Sequence, residues 1–239
     1  MFDEAGLTSE NLSELAVFRS KIYGFLSSIY MQIPDFDFVR RLISEETASF
    51  LSCLPLDIGL PREMEEGLKD LKRFIRSIMR QAVEDVCRNL SVERTRLFRG
   101  IKPGYGPPPP YESGYRNGEQ TLMSRWAVAV HRKYSSAGAG IPAGCKEPPD
   151  FIGLELDFMR FLTEKEAKSW RRGDRDIASG YLDLECEFLE EHITKWVPQF
   201  CNNVIDVAEL DFYLGIARMT KGFVNDDHER IREFTHMVD

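Results

Sequence analysis

The stretch that decides the fold is 147-EPPDFIGLELDFMRFL-162. Two prolines lead into a run that is apolar nearly all round, and such a pair sets an extended approach to a helix start. Laid out at about 100° per residue from Asp150, the apolar positions cover roughly 20° to 240° of arc. So wide a stripe belongs to a helix buried over most of its surface. Glu155 falls at about 140°, inside that arc, whereas Asp150, Asp157 and Arg160 share the polar remainder. A buried ionised carboxylate is costly unless bonded or paired, so Glu155 should have an arginine, tyrosine, tryptophan or backbone N–H as partner. Three readings stay open for it: a structural pair, a metal ligand, or a general acid with a raised pKa.

On the N-terminal side of this helix, residues 135–149, SSAGAGIPAGCKEPP, lack helical spacing and form the best hinge candidate. Helical spacing marks 120–134, through Leu122, Met123, Trp126 and Val130. Residues 100–118, GIKPGYGPPPPYESGYRNG, carry too many prolines and glycines for regular structure, and four consecutive prolines favour an extended path. Earlier, Leu15, Phe18, Ile22, Phe25 and Ile29 predict a helix over 12–30, followed by a turn and possible N-cap at Pro34 and Asp35. Pro61 opens a longer helix with a stripe of Met64, Leu68, Leu71, Ile75, Ile78, Ala82 and Val86, and a short one runs from Val92 to Arg99, stopped by Gly100. Beyond the opening stretch, helices are predicted at about 174–192, 196–203, 206–223 and 226–236. Strand alternation and internal repeats are absent. The prediction is an all-α chain, a single helical-bundle-like domain of about ten helices over 1–239 with a hinge loop at 135–149.

Composition bounds the function. The 239 residues, 43% of them hydrophobic, suffice for a sizeable core, and a net charge of -8 lacks the basic footprint of a nucleic-acid binder. No apolar run reaches membrane-spanning length, and MFDEAGLTSENLSE is acidic where a secretory signal would be basic and then apolar, so a cytoplasmic chain is expected. Cys53, Cys87, Cys145, Cys186 and Cys201 are scattered without a C-x-x-C pair and read as buried free thiols.

Chemistry-bearing motifs are sparse. A helical di-iron site needs two Glu-x-x-His pairs, and Glu233 with His236 is the single match. Ser113 in YESGY lacks the flanks of a nucleophile elbow, and GYGPPPP cannot present consecutive N–H groups to phosphate. On the helix 174–192, Asp183, Glu187, Glu190 and Glu191 share one face, either solvated or a landing patch for a basic peptide. On its apolar side Glu185 and His192 fall at nearly the same angle and read as a buried polar pair; an acid–base enzyme using Glu155 or Glu185 with His192 is the alternative function.

Three segments, LFRGIKPGYGPPPPYESGY (97–115), EPPDFIGLELDFMRFL (147–162) and FLEEHITKWVPQFCNNV followed by FYLGIARMTKGFV (188–224), together resemble in order and spacing the molybdoenzyme chaperones of the TorD/DmsD/NarJ type. The resemblance covers about residues 12–230. It implies a non-enzymatic cytoplasmic chaperone that binds the apo catalytic subunit of a molybdopterin oxidoreductase, its twin-arginine signal peptide, or both, and delays export until the cofactor is inserted. No cofactor is implied, with weak guanine nucleotide binding left open; no membrane insertion is expected, and the chain is taken as a monomer with a dimer possible through helix exchange. Carried over position by position, partner binding falls on Leu97 and Phe98, on Pro109, Pro110, Tyr111, Glu112, Ser113 and Tyr115, and on Glu147, Pro148, Pro149 and Asp150. Phe151 stands where the family motif E-P-x-D-H has histidine, which suggests a different client or a more apolar pocket. The expected site is therefore a groove of accessible aromatics edged by Asp150, Glu112 and Glu147, with Glu155 architectural.

Overall fold

A computed structural model describes residues 8–57, 59–99, 106–116 and 124–238. Among these, every regular element is helical, and the one β-like feature is an isolated antiparallel bridge between Tyr111 and Phe151. The chain divides into two compact units, each discontinuous in sequence.

The first unit takes the chain up to Met31, from Tyr111 to Lys195, and from Asp227 onward. It holds α1 (Ser9–Met31), the short α6 (Glu112–Arg116), α7 (Arg125–Ser136), α8 (Ile152–Arg172), α9 (Arg175–Phe188), a π-helical turn (Leu189–Ile193) and the end of α11 (Asp211–Val238). Its spine is α8, which buries Ile152 through Leu156 together with Phe158, Met159 and Leu162, as the wide apolar arc requires. Gly173 ends α8 in a left-handed conformation at φ 78°, where a glycine costs least, and Asp174 N–H donates back to the Ser169 carbonyl in a Schellman closure. α1 packs along α8. Its buried face is Leu12, Ala16, Arg19, Ile22, Tyr23, Leu26 and Tyr30, rotated from the predicted stripe, so that Leu15, Phe18 and Phe25 are half-exposed.

The second unit takes Gln32–Pro110 and Trp196–Asp226. It holds α2 (Phe36–Leu42), α3 (Glu45–Asp57), α4 (Arg62–Ile78), α5 (Val83–Phe98), nearly all of α10 (Thr194–Val207) and α11 up to Asp226. Asp35 caps α2 by accepting from Phe38 N–H at 2.7 Å, as the Pro34–Asp35 pair predicts. α4 and α11 meet backbone to backbone: a Cβ on Gly67 would lie 2.5 Å from the Gly215 carbonyl oxygen, so glycine is required there. Phe212 fills the space beside this contact, against Phe38 at 5.9 Å and Phe74 at 5.4 Å.

Several expectations are corrected. α2 and α3 were not foreseen; at seven residues α2 is too short to show a helical period. The long helix from Pro61 stops at Ile78, and the chain restarts at Val83 to run unbroken to Phe98 in place of a short Val92–Arg99 helix. α10 runs on to Val207, and from Asp211 the segments expected at 206–223 and 226–236 are one helix, α11, because nothing between them breaks a helix. The 135–149 stretch, expected as a hinge loop ahead of α8, lies wholly inside the first unit. Of the five free cysteines only Cys201 is buried; Cys53 is exposed and the others are half-buried. Gly100 and the residues 117–123 lie outside the described residues, as does the side chain of His236.

Candidate functional site

The proline-rich loop and the segment ahead of α8 are tied together at one place in the first unit. Tyr111 bridges Phe151 through backbone, Glu112 N–H donates to the Asp150 carbonyl at 3.0 Å, and the Tyr111 and Phe151 rings lie 5.6 Å apart. The Tyr111 hydroxyl donates to Glu147 Oε2 at 2.6 Å. From below, the Tyr134 hydroxyl donates to the Pro149 carbonyl at 2.8 Å, and its ring sits 4.7 Å from Phe158. Burial, with Glu155 and Asp150 near, raises the Tyr134 hydroxyl well above the usual phenol range, so it stays a donor. Glu155 itself is fully buried at the start of α8.

Asp150 does not edge an open groove. It is 1% exposed, and its carboxylate accepts from Ser113 N–H at 3.0 Å, satisfying a donor in the first turn of α6. Burial pushes the Asp150 carboxyl above the ordinary range, and the Ser113 bonds pull it back part of the way. The helical wheel set Asp150 on a polar face, but α8 begins only at Ile152, and a residue outside the helix is not placed by helical geometry.

Glu112 is the hub of the loop. It is fully buried, with Oε2 2.8 Å from His192 Nδ1 and Oε1 accepting from Arg116 at 2.7 Å. Arg116 also donates to the Glu191 carbonyl at 2.6 Å and lies 3.8 Å over the Trp126 ring, fastening α6 to the π turn and to α7. The expected Glu185–His192 pair does not form. His192 is in the π turn, where the ladder takes an extra residue and later side chains rotate, so His192 meets Glu112 while Glu185 meets Arg19 of α1. The acidic face of α9 is exposed but occupied: Lys133 reaches Glu187 at 2.6 Å and Glu191 at 2.8 Å, and His228 and Arg232 each lie 3.4 Å from Glu190.

Of the residues expected to hold a partner, Leu97, Phe98, Glu112, Ser113, Asp150 and Phe151 are buried. Phe98 packs in the second unit against Tyr213 at 5.5 Å and Phe200 at 5.9 Å, and Leu97 is fully covered. Pro109 and Pro110 belong to the second unit, Pro109 half-buried and Pro110 buried. Tyr111, Tyr115, Glu147, Pro148 and Pro149 are half-exposed and lie in the first unit. The expectation of accessible apolar side chains at Leu97, Phe98 and Phe151 is thus corrected: their apolar surface is spent inside the fold, and Tyr111 with Tyr115 is the accessible aromatic part. His192, Arg116 and Trp126 were missed as parts of this assembly; the i, i+4 spacing of Glu112 and Arg116 was its one local signal. Among the described residues no group of three or more His, Cys, Asp or Glu is arranged to hold a metal ion, and no helix is long and apolar enough to cross a membrane.

The profile of the family described as nitrate reductase delta subunit matches residues 58–202. The chain belongs to the nitrate reductase delta subunit family. The matched span of this family member contains the proline-rich loop, the segment ahead of α8 and the π turn, which are the parts that assemble around Glu112. Similar proteins named Chaperone protein TorD occur in Vibrio cholerae serotype O1 (strain ATCC 39541 / Classical Ogawa 395 / O395), 24% identical with 90% of this chain and 92% of the relative covered, and in Aliivibrio fischeri (strain ATCC 700601 / ES114), 23% identical with 90% and 97% covered. The resemblance to TorD-type chaperones is borne out. In fold, the family member matches a chain from Archaeoglobus fulgidus described as a redox enzyme maturation protein, with a TM-score of 0.50, 20% identity, and 87% and 93% of the two chains covered.

Proposed function

We propose that this chain is a cytoplasmic chaperone for the apo catalytic subunit of a molybdopterin oxidoreductase, binding the subunit, its twin-arginine signal peptide, or both, until the cofactor is in place. The observation that carries the reading is coverage: relatives named as chaperones align over nine-tenths of the chain. Client contact belongs to the accessible part of the site, Tyr111, Tyr115, Glu147, Pro148 and Pro149. Aromatic faces there suit the apolar part of a signal peptide, and the Glu147 carboxylate suits an arginine of its pair. The buried Glu112, Asp150, Phe151 and Ser113 act indirectly, by holding the accessible residues in one geometry. Leu97 and Phe98 pack the core of the second unit.

The test is calorimetric titration of twin-arginine peptides, and of the apo subunit, into the full chain at low and moderate salt. Binding that weakens as salt rises supports the reading, since exposed carboxylate contacts are screened. Absence of binding to the peptide and to the apo subunit at either salt would overturn it.

A further inference from the structure

The first unit contains a buried charge cluster that the proposed function does not use. Arg19 of α1, 5% exposed, donates through Nε to Asp227 of α11 at 2.6 Å, through one terminal nitrogen to Glu166 of α8 at 2.8 Å, and through the other to Glu185 of α9. The Tyr23 hydroxyl donates to Asp227 at 2.5 Å, and Trp170 Nε1 to Glu166 at 2.9 Å. The charged and titratable groups facing Glu185 are therefore Arg19 and Tyr23 from α1, Glu166 from α8 and Asp227 from α11.

Ionised throughout, this set would hold three carboxylates against one guanidinium, all nearly sealed from water. Two uncompensated negative charges in such a place cost several kcal/mol each, far more than one protonation does. Asp227 already accepts three hydrogen bonds, two from Arg19 and one from Tyr23, and Glu166 accepts from both Arg19 and Trp170. Glu185 is the least supported: Oε2 accepts from Arg19, while the buried Oε1 has no partner among the described residues. We propose that the cluster folds with Glu185 protonated, and that losing this proton loosens the end of α11 from α1, α8 and α9.

The pKa directions agree. Burial raises Glu185 well above the usual carboxylate range, Arg19 opposing, and burial raises Glu166 less strongly. A carboxyl raised in the folded state gives its full stabilisation below the unfolded value and loses it as pH rises through the folded value. Stability should therefore fall on the alkaline side of the ordinary glutamate value, about 4.3, until the proton has left.

Glu185→Gln imitates the protonated acid, accepting from Arg19 without carrying charge. The test compares thermal unfolding of wild type and E185Q from pH 5 to 9, with infrared spectra of both. Within the window of proton loss, the wild-type unfolding constant should climb by up to about tenfold per pH unit relative to E185Q. That is a relative Tm loss of about 3 to 6 °C per unit. At the alkaline end, residues 227–234 should exchange amide hydrogens faster in wild type than in E185Q at the same pH. The wild type should also show a protonated-carboxyl carbonyl band at neutral pH that E185Q lacks. A parallel pH dependence in both proteins with E185Q less stable throughout, or no such band in the wild type, would overturn the proposal. Should E185Q fail to fold, Glu166→Gln, which also removes one of the three buried charges, takes its place in the unfolding comparison, and an unchanged pH dependence relative to wild type overturns the proposal.

Discussion

Replacing Glu112 by alanine separates a brace from a binding contact. The substitution removes the buried acceptor of His192 and the partner of Arg116 in one step. His192 is 3% exposed, so its Nδ1 is left unpaired away from water, at a cost of about 1 to 3 kcal/mol. Arg116 is one-fifth exposed and keeps the Glu191 carbonyl and the Trp126 face, so its share is smaller. With the side-chain cavity added, the loss should total about 3 to 5 kcal/mol, the range for breaking a buried pair from one side. Glu112→Gln keeps the shape and one acceptor and should cost about 1 to 2 kcal/mol. Equilibrium urea unfolding reads both: at a slope of about 2 to 3 kcal/mol per molar, E112A should move the midpoint down by roughly 1 to 2.5 M with little change in slope. If E112A leaves the midpoint in place but abolishes peptide binding, Glu112 is a contact with the client and the buried-brace account is wrong.

Phe98→Ala should destabilise by about 3 to 5 kcal/mol, because a 4% exposed ring between Phe200 and Tyr213 leaves a cavity, and chemical denaturation measures it. A variant as stable as wild type with impaired binding would put Phe98 on the client surface instead. For Asp150, burial holds the carboxyl above its unfolded value, so its stabilisation is full below about pH 3.9 and declines as pH rises through the folded value. Asp150→Asn keeps an acceptor for Ser113 and cannot ionise, so its Tm should fall less than that of the wild type between pH 4 and 8; Asp150→Ala, which abandons Ser113 N–H, should be the less stable of the two at every pH.

The all-helical class was legible in the sequence because long amphipathic stripes such as α4 and α8 carry a strong 3.6-residue signal. The segments that form the site were legible too, as motifs, yet their roles were not. Phe98 and Asp150 look alike in one dimension whether they face solvent or core; only the arrival of Phe200, Tyr213 and the α6 backbone decides it. The π turn defeated the angle arithmetic that paired Glu185 with His192, since one inserted residue redirects every side chain after it. Arg19 was hidden for a related reason. The heavier side chains Phe18 and Phe25 drew the predicted stripe toward themselves, whereas the buried face of α1 follows Leu12, Ala16, Arg19, Tyr23, Leu26 and Tyr30 at alternating spacings of four and three. An arginine inside that seam was the available sign of a buried charge cluster.

If this chain matures a molybdoenzyme, the molybdenum content of the catalytic subunit made beside it must depend on it. Elemental analysis of that subunit, purified from cells with and without this chain, should give near-stoichiometric molybdenum with it and a largely empty subunit without it. Expression of a Tyr111→Ala, Glu147→Gln variant that melts like wild type should leave the subunit mostly empty. Equal molybdenum loading in the presence and absence of the chain would contradict the account.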